Sequence, residues 1–150
     1  MDLRKYGKSK NLLNLQSLEV TILILSNDLK SKIIGEVIKV CKEEIKEESN
    51  KELLGLTVDY FYDGEAIDIG CEIHIFDNNE EVEEGYTKHI SFTLDSYSEL
   101  LVILKQYDEE RRFQAIEQAA KEIKEYVEKI NWNSIVRTYE EMFIELELYD

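Results

Sequence analysis

Residues 53–76 read LLGLTVDYFYDGEAIDIGCEIHIF. Two alternating apolar runs within this segment flank Asp63-Gly64. Asp and Gly both tolerate the positive φ of a type I′ turn, so this dipeptide between alternating runs is a strong hairpin signal. The runs then pair Tyr60 with Ile67, Val58 with Ile69, Leu56 with Cys71 and Leu54 with Ile73. We therefore predict an antiparallel hairpin with one wholly apolar face.

The other face of this hairpin is polar. The same register sets Asp59 against Asp68, Thr57 against Gly70 and Gly55 against Glu72. Directly opposed like charges destabilise a strand pair, so the two aspartates need an explanation. A partner protein could offer lysine or arginine to this face, with Phe61 adding contact area. Alternatively, a neighbouring strand or Lys88 neutralises the pair; both interpretations remain open.

Two elements are predicted before the hairpin. Residues 18–25, LEVTILIL, are apolar in both alternating sets and favour a strand slightly over a helix. Capping residues at 26–28 precede a predicted helix that ends near Glu48. Its apolar stripe comprises Leu29, Ile33, Val37, Val40, Cys41 and Ile45.

The second half of the chain predicts two more strands and two more helices. Alternation predicts strands over residues 86–94 and 142–149, and Ser96 with Glu99 forms a capping box that predicts a helix start. Residues 108–130 predict a long helix whose stripe is Phe113, Ile116, Ala120, Ile123, Val127 and Ile130. This stripe suits either a dimer or the domain's own sheet, and we favour the second.

Together these elements predict one α+β domain over residues 1–150, with residues 1–11 as a flexible basic N-terminus. We expect an antiparallel sheet of about four to five strands, containing the hairpin about Asp63-Gly64, packed on two to three helices. Trp132 should close one end of the core. The two cysteines, Cys41 and Cys71, sit among apolar neighbours and are predicted to be core residues rather than a disulfide or a zinc site.

The chain is strongly acidic, with a formal net charge of −15 at pH 7. Such a surface repels nucleic acid and anionic lipid and attracts basic proteins, so we expect neither a nucleic-acid nor a membrane partner. The apolar residues 12–25 are interrupted by polar side chains and are too short to span a bilayer. We therefore expect a cytoplasmic protein that is a monomer or a weak homodimer.

No motif in the sequence predicts catalysis. His74 and His89 fall on the same alternating set as Glu72, but two histidines on neighbouring strands are usually surface residues, so we rank a catalytic or metal site last. The acidic residues 77–84 lack the glycine that a calcium loop requires at its sixth position. We predict a protein that is not an enzyme and that needs no cofactor and no metal.

The predicted binding surface combines the polar face of the hairpin with the acidic segment after it. Its residues are Asp59, Phe61, Asp68, Glu72, Asp77, Glu80, Glu81, Glu83 and Glu84.

The layout also resembles a protein family. Four features follow one another along the chain: a helix leading into LLGLTVDYFYDG (residues 53–64), an acidic middle loop, a long helix ending in INW (130–132) and the segment FIELELYD (143–150). In this layout the chain resembles the small acidic α+β immunity proteins found beside bacterial polymorphic and contact-dependent toxins. The N-terminal LEVTILIL run has no counterpart in that layout. The resemblance implies a stoichiometric inhibitor that binds a cognate toxin domain, often a basic nuclease, and it assigns no binding residues. The alternative from the residues alone is a scaffold that dimerises through the helix stripe or a strand edge.

Overall fold

A computed structural model describes residues 23–47, 49–78 and 86–148, and it shows a four-stranded mixed sheet with three helices. The elements in chain order are α1 (Asn27–Glu44), β1 (Lys51–Tyr62), β2 (Ile67–Asp77), β3 (Tyr86–Phe92), α2 (Tyr97–Leu104), α3 (Glu109–Glu128), a 3-10 turn (Trp132–Ser134) and β4 (Thr138–Leu148). The α+β class is confirmed. The strand order is β3-β2-β1-β4.

The predicted hairpin is present, but its register is two residues away from the prediction. Strands β1 and β2 are antiparallel and pair Tyr62 with Ile67, Tyr60 with Ile69, Val58 with Cys71 and Leu56 with Ile73. The connection has four residues instead of two because the Asp63 carboxylate accepts hydrogen bonds from the backbone N–H groups of Glu65 and Ala66, at 2.9 and 2.8 Å. A two-residue shift does not by itself move any side chain to the other face.

A β-bulge in β1 overturns one further pairing. The register shifts between Leu53 and Gly55, so Leu53 faces the core opposite Ile75 and is fully buried, whereas Leu54 is only half-buried. The predicted pairing of Leu54 with Ile73 is therefore wrong. One extra residue in a strand reverses the faces beyond it, and alternation in the sequence does not mark where that residue lies.

The sheet is mixed and not purely antiparallel, because β4 runs parallel to β1. Strand β3 runs in the direction of β1, and the 20 residues of α3 extend about 30 Å, enough to return the chain to the end where β1 begins. Arg137, just before β4, accepts a hydrogen bond from Leu53 N–H at 2.8 Å. Its guanidinium donates to the carbonyls of Lys46 and Lys51, both at 3.1 Å. From that position β4 can only run alongside β1 in the same direction.

The helices pack on the apolar face of the sheet. The predicted stripes of α1 and α3 are buried at their centres, including Ile33, Val37, Ile116, Ile123 and Val127. The α3 stripe is thus covered by the domain's own core, as we favoured, and is not available to a second copy. Trp132 is buried, as predicted, and its Nε1 donates to the Val127 carbonyl at 3.0 Å.

The helix starts agree with the sequence, except for the capping box. Ser26 caps α1, accepting from Leu29 N–H at 3.1 Å, and α1 ends at Glu44, short of the predicted Glu48. Ser96 makes no side-chain cap on α2, because its hydroxyl donates to Glu36 on α1. The tertiary contact replaces the local one.

The N-terminal predictions fall mostly outside the described residues. This applies to the flexible residues 1–11 and to residues 18–22 of the expected strand. Residues 23–25 belong to no strand; the backbone N–H groups of Ile24 and Leu25 instead donate to the Glu122 carboxylate on α3, at 2.8 and 2.9 Å. Within the described ranges, no helix is both long and apolar enough to cross a bilayer.

Candidate functional site

The side of the sheet opposite the helices carries most of the polar side chains that the sequence singled out. We call this surface the polar face. It comprises Gly55, Thr57, Asp59 and Phe61 on β1, Asp68, Gly70, Glu72 and His74 on β2, His89 and Ser91 on β3, and Phe143, Glu145 and Glu147 on β4. Strand pairing alone brings these residues from four segments into one surface.

The exposed charge on the polar face is negative. Asp68, Glu145 and Glu147 are exposed, and Glu72 is partly exposed. Among the ion pairs within residues 23–47, 49–78 and 86–148, none joins a lysine or arginine to these four carboxylates. Lys88 lies 3.9 Å from Glu44 of α1, on the helix side, so it does not neutralise this face.

Two predicted binding residues are less accessible than expected. Asp59 is 7% exposed and Asp77 is 8% exposed. Asp59 lies in the central strand, between Gly70 of β2 and Glu147 of β4. Asp77 is the last residue of β2 and not part of a loop. The predicted exposure of both carboxylates is therefore wrong, because each belongs to a strand with neighbours on its flanks.

The predicted opposition of Asp59 and Asp68 is also wrong, since Asp68 lies opposite Phe61. Both aspartates nevertheless line one groove of about 310 Å³, together with Gly70, Ser91, Tyr97 and four neighbours. Strand β3 ends at Phe92, opposite Cys71, so the first residues of β2 have no strand partner on that edge, and the Tyr97 hydroxyl donates to the carbonyl of Ile67. The shorter strand and the missing side chain of Gly70 together open the groove.

His74 and His89 lie directly opposite each other on β2 and β3. Their Nδ1 atoms are 2.5 Å apart, and the ring centroids are 4.7 Å apart. The other ring nitrogen of His74, Nε2, lies 2.8 Å from Thr57 Oγ1 and 3.5 Å from Glu72 Oε1. The sequence placed the two histidines on one face, but it did not predict that they touch.

The environment keeps His74 neutral. Burial lowers the pKa of its imidazole and His89 lowers it further, whereas Glu72, Glu145 and Glu147 act in the opposite direction. Because the pKa lies below its ordinary value of about 6.5, one ring nitrogen of His74 accepts a hydrogen bond at neutral pH and the other donates one.

Sequence reasoning placed Thr57 on this face but did not connect Glu145 and Glu147 with it. Glu145 and Glu147 alternate correctly within the predicted last strand, but only the parallel pairing of β4 with β1 places them beside the hairpin. Thr57 gave no signal beyond its face. The predicted binding residues Glu80, Glu81, Glu83 and Glu84 lie outside the described residues.

Comparison with known proteins adds no relative: no family model, no curated protein and no solved structure matches the chain.

Proposed function

We propose that this protein is an immunity protein: a non-catalytic inhibitor that binds a basic bacterial toxin domain in the cytoplasm through the polar face. The observation that carries the proposal is the exposed set Asp68, Glu145 and Glu147, to which no lysine or arginine of the described residues is paired. A basic partner supplies the missing positive charge.

Charge and shape both suit such a partner. The net charge of −15 accelerates encounter with a cationic protein, because opposite fields steer association. At the surface itself, half-buried Phe61 and Phe143 offer apolar area beside the carboxylates. The groove at Gly70 offers a concave site for a lysine or arginine side chain. Aromatic anchors next to carboxylates are typical of energetically important interface centres.

The resemblance to toxin-associated immunity proteins names the class of partner. A nuclease that binds phosphates presents a cationic cleft, and a surface of carboxylates can occupy that cleft in place of the substrate. In this proposal Asp68, Glu145 and Glu147 carry the attraction, while buried Asp59 shapes the groove from within.

Co-expression tests the proposal. The products of the genes on either side of this one are expressed singly in a bacterial host, with and without this protein. We expect one product to arrest growth and this protein to restore it. The double variant Glu145→Lys/Glu147→Lys should lose the rescue. The control Glu43→Lys/Glu125→Lys, with the same charge change on exposed helix positions, should keep it.

If neither neighbouring product is toxic, or if both double variants rescue equally, the proposal is wrong. A scaffold that dimerises through the edge strand β3 or β4 would then be favoured, and sedimentation of the purified chain would show the dimer. The α3 stripe cannot serve that dimer because Ile116, Ile123 and Val127 are buried in the core.

A further inference from the structure

We propose that Glu72, His74 and His89 form a zinc-binding site on the polar face, with three protein ligands and one coordination position left for water. The inference goes beyond partner binding and rests on different observations. It also reverses the ranking that the sequence alone supported.

The first observation is convergence. Each of the three residues offers one ligand atom, and these atoms lie within 4.8 Å of one another. Zinc ligands lie about 2.0–2.2 Å from the metal, so tetrahedral ligand atoms are separated by a little over 3 Å. The two Nδ1 atoms lie 2.5 Å apart, so the exposed His89 ring must turn outward by roughly 1 Å to admit the ion. Glu72 Oε1 lies 3.5 Å from His74 Nε2, and the Glu72 side chain is 26% exposed.

The second observation is the orientation of His74. Thr57 Oγ1 lies 2.8 Å from Nε2 and can accept its proton, which leaves the Nδ1 lone pair directed at His89. A histidine that ligates zinc usually has its other nitrogen held in this way by an oxygen of the protein. The ring of His74 also packs against Phe143, with centroids 5.2 Å apart, so its direction is set before any ion arrives.

The third observation is the surrounding charge and the access from solvent. Glu145 and Glu147 are exposed carboxylates on β4, on the same face of the sheet as the two histidines. They favour a cation over an empty site. His89 is exposed whereas His74 is buried, so an ion can enter from the His89 side without opening the core.

The donor set selects the metal. Two imidazoles and one carboxylate suit zinc and related transition metals, whereas Mg²⁺ and Ca²⁺ prefer ligand sets made of oxygen. Three protein ligands are also fewer than a closed structural zinc site uses, which leaves one position for water.

The competing explanation is ring packing, in which the two histidines and Phe143 simply cover the sheet. A titration separates the two. The full-length chain, without a histidine tag and stripped with EDTA, is titrated with ZnCl2 by calorimetry, and thermal unfolding is followed with and without the ion. We expect one zinc per chain, a higher Tm, and a visible absorption band of low-symmetry coordination when Co²⁺ replaces zinc.

Variants identify the ligands. His89→Ala, at an exposed position, should weaken zinc binding by at least about tenfold and abolish the cobalt band, while leaving the Tm of the metal-free protein close to wild type. Glu72→Gln should weaken binding as well. The control Glu145→Gln removes a carboxylate from the same face without removing a ligand, and it should change the affinity by less than about threefold.

Three outcomes would overturn the proposal. The first is a titration with no heat and no change in Tm. The second is equal zinc affinity in wild type and His89→Ala. The third is an equal rise in Tm with Mg²⁺, which would show ions collecting on surface carboxylates without a specific site.

Discussion

At the scale of single residues, the buried carboxylate of Glu122 makes tertiary contacts that the sequence did not indicate. Glu122 is 2% exposed on α3 and lies beside the apolar stripe. Its oxygens accept from Ile24 N–H, Leu25 N–H and Gln118 Nε2, at 2.8, 2.9 and 3.1 Å. These bonds join the segment before α1 to the middle of α3.

We expect Glu122→Ala to lower the free energy of unfolding by about 2–3 kcal/mol, because buried backbone donors lose a charged acceptor. Urea unfolding measures the change. The control is Glu125→Ala, exposed on the same helix, which should stay within about 0.5 kcal/mol of wild type. Similar losses in the two variants would contradict a specific role for Glu122.

Asp63 makes the hairpin connection sensitive to pH. Hydrogen bonds from the backbone of Glu65 and Ala66 lower the pKa of its carboxyl. A lowered native pKa adds stability above the unfolded pKa of about 3.9, and this stability is lost as the pH falls through the native value.

The pH dependence can be measured with Asp63→Asn, which keeps the shape of the side chain and removes the charge. We expect wild type to be the more stable at pH 7 and the difference to shrink by about pH 3. Urea unfolding at both pH values gives the two differences. A gap that is constant across this range would mean that the charge of Asp63 does not hold the turn.

At the scale of elements, Gly55 lets an aromatic ring of β4 lie over the backbone of the central strand. A Cβ built on Gly55 would lie 2.5 Å from the Phe143 ring of β4, so this position requires the absence of a side chain. The glycine permits β4 to lie against β1 with its aromatic ring over the backbone.

We expect Gly55→Ala to destabilise the protein by about 1–3 kcal/mol through this clash. Phe143→Leu in the same chain should recover part of the loss, since contacting residues are not additive. Gly35→Ala is the control: nothing lies within 4 Å of that Cβ on α1, so the change should stabilise by about 0.5–1 kcal/mol. Urea unfolding of all four proteins measures these differences. Equal effects of the two alanines would refute the clash.

The helices and strands that could be predicted from the sequence are those in which the local residue pattern agrees with the burial of the side chains in the structure. The hairpin of residues 53–76 and the helices α1 and α3 follow from alternation, helical spacing and, for α1, the cap Ser26. The loop length and the bulge did not follow, because the loop depends on an Asp63 side-chain contact and alternation does not mark where an extra residue lies. The parallel direction of β4 depends on where α3 ends in space, and the spacing of apolar residues in the sequence does not show this position.

The candidate site was predictable to a similar extent. Alternation alone placed His74, Glu72 and Asp68 on one face of the sheet and the apolar residues on the other. It did not distinguish Asp59, flanked by strands on both sides, from Asp68 on an exposed position. Burial of a polar residue is a property of the assembled sheet, so the accessible acids Glu145 and Glu147 emerged only from the strand order.

At the scale of the whole molecule, charge is divided between two sides. The helix side holds ion pairs between its own residues, such as Lys124 with Glu128 at 3.0 Å and Lys121 with Glu117 at 3.9 Å. The polar face presents Asp68, Glu145 and Glu147 without such partners among the described residues. An acidic surface of this kind would speed binding to a cationic protein more than it would slow release.

The most direct measurement is the association rate constant between this protein and any toxic neighbouring product that co-expression identifies, determined by stopped flow from about 20 to 500 mM salt, a range that spans weak to strong screening. We expect the rate constant to fall steeply as the salt concentration rises. At low salt, Glu145→Lys/Glu147→Lys should lower the rate constant on the order of tenfold, whereas Glu43→Lys/Glu125→Lys should lower it much less. A rate constant that does not change with salt, or that falls equally in both double variants, would contradict this expectation.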